Sequence, residues 1–154
     1  MSYEAFKVVH LFGVIVFLGN IIVTGVWKAM ADRTGDAKTV AFAQRLVTLT
    51  DWLFTAGGIG LILVGAYGMA AVAHLDLRHT AWLIWGQTIF VASGIIWVVA
   101  LMPTQIVQAR QARAFADGGR IPDSYWRHGR RWLICGTVAT VVPLANLYFM
   151  VFKP

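Results

Sequence analysis

The stretch VVHLFGVIVFLGNIIVTGVW, Val8 to Trp27, decides how the rest of the chain is read. It holds no Lys, Arg, Asp or Glu. As a helix rising 1.5 Å per residue it covers about 30 Å, the thickness of a bilayer's hydrocarbon core. Three more blocks have the same character: Trp52–Ala73, Ala81–Met102 and Trp132–Phe152. Over the whole chain 58% of residues are hydrophobic and 13% charged, whereas a soluble domain has about a quarter of its residues charged. The reading is all-α: a polytopic membrane protein, a four-transmembrane-helix bundle in one domain over 1–154, with helices at about 8–27, 52–73, 81–102 and 132–152. Glu4 and the length of the first block argue against a cleaved signal peptide.

The basic residues order the blocks. Lys28, Arg33, Lys38 and Arg45 follow block one; Arg110, Arg113, Arg120, Arg127, Arg130 and Arg131 follow block three. Lys7, Arg78 and Lys153 fall on the opposite side. Basic loops stay cytoplasmic, so both termini are expected outside, N-out/C-out. The net charge of +6 is then a topology signal. No nucleic acid is expected as a partner, while the bilayer is, with anionic lipid at the basic loops. AKTVAFAQRLVTLTDW and QIVQARQARAFADGG have helical spacing and extend blocks two and three into the cytoplasm. Gly118 and Gly119 stop the latter, Asp123 and Ser124 read as an N-cap, and HLDLRH reads as a tight turn. Trp27, Trp52, Trp82, Trp85 and Trp132 suit an aromatic belt; Trp97 lies deeper, between helices. Gly57, Gly58, Gly60, Gly65 and Gly68 suit close helix packing or room for a flat cofactor. The lone Cys135 excludes intrachain disulfides.

Polar residues within the blocks pick out an interior. His10, Gly13, Phe17, Asn20, Thr24 and Trp27 share one face of block one. An unpaired polar group in hydrocarbon costs several kcal/mol, so this face turns inward, toward Gln87, Ser93, Thr140 and Asn146 on the other blocks; these four are the expected partners of Asn20. Asp51 reads as a helix cap or the partner of a loop arginine. His10 reads as a hydrogen-bonded interfacial histidine, a metal or haem ligand, or a proton relay. Lys7 reads as snorkelling to headgroups or pairing with a carboxylate. His10, His74 and His79 gather at the terminal end, and His128 sits in a basic loop as a solvated residue.

FKVVHLFGVIVF, Phe6 to Phe17, resembles the first helix of the HemJ family, four-helix membrane proteins of late haem synthesis. Phe6, Lys7, His10 and Gly13 match its F-K-x-x-H-x-x-G pattern, and Pro143 and the terminal Lys153-Pro154 also agree. Copper-resistance membrane domains of the CopD type belong to the same loose superfamily. LGNIIVTGVWKAMADRTGD, AQRLVTLTDWLFTAGG and LYFMVFKP resemble an uncharacterised bacterial family of that superfamily, a domain of unknown function, over nearly the whole chain. The HemJ resemblance implies haem b with His10 as axial ligand, Lys7 beside a propionate, and His74 or Met69 as second ligand; His10 and His74 are also the candidate metal ligands. It further implies a multi-pass protein of the bacterial inner membrane. The family's arginine late in helix one, its following histidine and its helix-three lysine have no counterpart here, so no catalytic residue is assigned. The alternatives are a metal or small-molecule transporter and a non-catalytic scaffold; a homo-oligomer fits each of them. Reporter fusions at Gly35 and Gly118 should be active only with a cytoplasmic reporter, and activity of a periplasmic reporter at either site would reverse the orientation.

Overall fold

The structure, a computed structural model, describes residues 2–153. Helix α1 (Tyr3–Thr34) runs 32 residues, beyond the apolar block at its centre. Ser2 caps it by accepting from Ala5 N, and Gly35 ends it at φ 65°, where a Cβ would be strained. Asp36 opens α2 (Ala37–Thr50), accepting from Thr39 N at 2.8 Å and Thr39 Oγ1 at 2.7 Å. The Thr39 hydroxyl and then its amide hold the Asp36 carboxyl below the usual range.

A π-helical segment, Asp51–Ala56, carries α2 without a break into α3 (Gly57–Val72). The turn at 73–80 is tied by Asp76, which accepts from Arg78 N at 2.9 Å and pairs with His79 Nδ1 at 2.8 Å. Helix α4 (Ala81–Ile96) then passes through a second π-helical segment, Trp97–Leu101, into α5 (Met102–Ala114). After Gly118 (φ 104°) and Gly119 (φ 142°), α6 (Asp123–Phe152) closes the chain with Pro143 inside it. Asp123 and Ser124 do not cap α6. Pro122 holds the cap position with no side-chain bond, and Ser124 Oγ accepts from Gln111 instead. Among the described residues four continuous helices are long and apolar enough to cross a membrane: Tyr3–Thr34, Ala37–Val72, Ala81–Ala114 and Asp123–Phe152. Most of their large apolar side chains, such as Val8, Ile15, Val99 and Val151, face outward as lipid-facing residues must.

The four spans form two antiparallel hairpins, α1 against α2–α3 and α4–α5 against α6. Lipid offers no hydrophobic drive between helices, so close van der Waals approach must hold them. Glycines supply it on α3. A Cβ at Gly65 would lie 2.5 Å from His10 N, and one at Gly58 would lie 3.0 Å from Phe17 Cβ. Gly13 faces back, where a Cβ would meet Ile62 N at 2.8 Å. Gly57 and Gly60 point into open space and take no part.

The backbones of the two hairpins pack together at the end carrying the basic loops. There α2 packs on α5 and α1 on α6, around Val40, Ala41, Ala112, Phe115, Ile121 and Tyr125. Toward the termini the backbones of α3 and α4 part, and side chains alone reach across. Phe17 meets Phe90 with ring centroids 6.5 Å apart, and Tyr67 Oη donates to Gln87 Oε1 at 3.3 Å. Gly65→Ala should therefore cost about 1–3 kcal/mol as an overpacking change, while Gly60→Ala should be neutral or mildly stabilising. Thermal unfolding in detergent compares them; equal effects would contradict the α1–α3 packing.

Candidate functional site

Helix α1 places Asn20, Thr24, Lys28 and Asp32 at a spacing of four, so all lie on one face. In sequence Lys28 looks like the first loop residue, but α1 continues past it and it is only 2% exposed. Its Nζ donates to Asp32 Oδ2 at 3.0 Å and Oδ1 at 3.2 Å, and to Tyr125 Oη at 3.1 Å. Tyr125 Oη in turn donates to Gln44 Oε1 at 3.3 Å. The ammonium also lies 5.1 Å from the centre of the Tyr125 ring and 5.7 Å from that of Trp132, within cation–π range. This group ties α1, α2 and α6 together. Gln108 of α5 is buried beside it, in the space left by Gly129, whose Cβ would lie 3.3 Å from Gln108 Nε2. The four-residue repeat Asn20, Thr24, Lys28 was the available signal, and ending the apolar block at its first charge hid it.

One level deeper lies a second polar group. Asn20 Nδ2 donates to Asp51 Oδ1 at 3.1 Å and to Thr55 Oγ1 at 2.9 Å, and Thr55 Oγ1 donates to Asp51 Oδ1 at 3.1 Å. Thr24 Oγ1 closes the set by donating to Asn20 Oδ1 at 3.2 Å. Asn20 thus finds its partners on the π-helical segment, not in Gln87, Ser93, Thr140 or Asn146. Asp51 is buried inside a continuous helix: it neither caps a helix end nor pairs with a loop arginine. Among the described residues no Lys, Arg or His nitrogen lies within 4.0 Å of its carboxylate.

The polar residues expected as partners of Asn20 bond elsewhere. Ser93 Oγ donates to Ala139 O at 3.2 Å and Asn146 Nδ2 to Gly86 O at 3.2 Å, joining α4 to α6. Thr140 donates to Gly136 O of its own helix at 2.7 Å. Gln87 Nε2 donates to Leu77 O at 3.2 Å and Leu83 O at 3.1 Å. Trp97 packs against the inner cluster of Val47, Leu101, Trp132 and Ala139. His128 is half-buried and its Nδ1 has no partner, so it is not a solvated loop residue.

The parted hairpins leave a cleft of about 530 Å³. Phe17, Phe90, Trp97 and Trp132 line it, and Thr24, Asp51 and Thr55 stand at its polar end. Its rim, including Ile22, Val26, Val91 and Val141, is exposed to the lipid side. A smaller cavity of about 300 Å³ lies beyond the π-helical segments, with Thr48, Trp52, Gln105, Arg110 and Arg113 in its wall. Asp51 and Trp97 border both cavities. Short π-helical stretches inside α-helices occur often at functional sites.

The terminal-end residues do not assemble in the same way. His10 Nδ1 donates to Ile62 O at 3.0 Å. Lys7 and His74 are exposed, Met69 is half-buried, and His74 takes a left-handed backbone (φ 51°) at the hairpin turn. His10 packs against Gly65, nine residues from His74, about 14 Å along α3. The niche at Gly13 is filled by Leu61 and Ile62, and neither His10, Met69 nor His74 lines the cleft. A haem between His10 and His74 does not fit residues packed so closely, and no step is derived through one. Among the described residues no group of three or more His, Cys, Asp or Glu could hold a metal ion.

Residues 4–154 match a protein family described as a predicted integral membrane protein, DUF2269. No curated protein and no solved structure matches the chain. Asn20→Leu should leave both Asp51 and Thr55 short of a donor and cost about 1–3 kcal/mol; a melting temperature in detergent that is unchanged or raised would remove Asn20 from the polar group.

Proposed function

The chain belongs to that family of integral membrane proteins, and from this premise we propose that it binds a hydrophobic small molecule taken laterally from the bilayer into the cleft between its hairpins. The observation that carries the reading is the cleft itself. It is about 530 Å³, lined by aromatic and aliphatic side chains, open at an apolar rim, and ends on one buried polar group. Small-molecule sites have this composition: mostly apolar walls with a few placed polar groups. The hairpin arrangement supports lateral entry. The joint at the basic end fixes the spans, and above it only side-chain contacts would have to yield.

Of the alternatives raised by the sequence, a metal or small-molecule transporter and a scaffold, transport of a small molecule is the one compatible with such a cleft. Haem ligation at His10 draws no support from the close α1–α3 packing at Gly13 and Gly65. A scaffold role would not call for a cleft of this size or for a buried carboxylate at its end.

Photolabelling of the protein in nanodiscs with a neutral alkyl diazirine, mapped by mass spectrometry, tests the reading. Saturable labelling is expected on residues around the cleft, among them Phe17, Ser93 and Thr140. Gly25 and Gly94 line the cleft with nothing within 4 Å of an added Cβ, so Gly25→Leu and Gly94→Leu should fill it, preserve the fold and abolish that labelling. Labelling confined to the outer lipid-facing residues, or unaffected by both fillings, would contradict the proposal.

A further inference from the structure

We infer that the molecule held in the cleft is a hydrophobic organic cation whose positive charge is met by the Asp51 carboxylate. This rests on the reading of the cleft as a binding site and adds the chemical class of its ligand. Asp51 is 7% exposed, lies in a helix long and apolar enough to cross a membrane, and is bonded to Asn20 within the apolar block of α1. A carboxylate there is costly unless it is paired, and intramembrane ionisable residues face a partner or a cavity. The protein supplies hydrogen-bond donors but no countercharge. Asn20 and Thr55 both donate to Oδ1, each at 3.1 Å, which orients the group without cancelling its charge.

The nearby cations are committed or out of pairing range. Lys28 is bound to Asp32 at 3.0 Å and to Tyr125. Arg110 and Arg113 share the wall of the smaller cavity with Asp51, but both are exposed and neither comes within 4.0 Å of its carboxylate. The aromatic walls complete the match. Phe17, Phe90, Trp97 and Trp132 present rings around the cleft, and ring faces attract cations most strongly where water is excluded. An anion would meet both the carboxylate and the ring faces unfavourably. A neutral ligand would supply no countercharge to the carboxylate.

Two probes of similar shape and opposite charge decide the matter: tetraphenylphosphonium and tetraphenylborate. Each competes with the neutral diazirine for the cleft in nanodiscs of zwitterionic lipid, compared at equal concentration in the membrane. Tetraphenylphosphonium is expected to suppress cleft labelling at a concentration lower by about tenfold or more, a difference of about 1.4 kcal/mol. Asp51→Asn should erase that preference while the diazirine still labels the cleft. Equal potency of the two ions, or stronger competition by tetraphenylborate, overturns the charge assignment and leaves the cleft as a site for neutral molecules. A preference that survives Asp51→Asn overturns the role of this carboxylate. Should Asp51→Asn fail to fold, the comparison on the wild-type protein still decides. No cleft labelling at all overturns the site itself and this inference with it.

Discussion

Everything in this structure hangs on a lysine that cannot leave the protein. Lys28 is 2% exposed, and its ammonium is held by Asp32, Tyr125 and two aromatic faces. Asp32 is 22% exposed, so it is the loss of Asp32 that would strand a buried charge, the Lys28 ammonium. The pair therefore fixes where α1 ends relative to α6, and the bond from Tyr125 to Gln44 extends that constraint to α2. The apolar cluster of Val40, Ala41, Ala112, Phe115 and Ile121 then packs around a joint whose geometry is already set.

Above the joint, two different packing modes produce the cleft. On α3, Gly58 and Gly65 let α1 come to backbone contact, so the first hairpin is tight along its length. The second hairpin closes through side chains on carbonyls, Ser93 on Ala139 and Asn146 on Gly86. Between the hairpins neither device is present, and rings and one tyrosine hydroxyl bridge the gap. Space between the hairpins is thus a consequence of where the small residues fall. The two π-helical segments lie at the foot of that space, and Asp51, which opens the first of them, borders it on both sides.

The four spans were legible because hydropathy over about 20 residues answers directly to bilayer thickness. The inward face of α1 was legible too: Asn20 and Thr24 stand out against an apolar background. Its continuation through Lys28 and Asp32 was not, because a charge after an apolar run reads as a membrane boundary. Asp51 was missed for the same reason, and its burial depends on the π-helical segment, which arises from packing and leaves no local pattern. His10 shows the converse. A histidine in an apolar helix suggests a ligand, and only the position of Ile62 O and the glycine contacts reveal its hydrogen bond across the α1–α3 seam. Partner choice across helices is a tertiary property, so the bonds of Gln87, Ser93 and Asn146 could be anticipated as needs but not as pairs.

The claim that the buried lysine joins the hairpins is tested most directly by a distance between them at the basic end. Spin labels at Phe42→Cys on α2 and Ile106→Cys on α5, both exposed positions, report that separation by pulsed electron–electron resonance in a Cys135→Ser background. The account predicts a single narrow distance distribution, broadened markedly by Lys28→Met while the protein stays inserted and helical. A distribution that is equally narrow with and without Lys28 would contradict it.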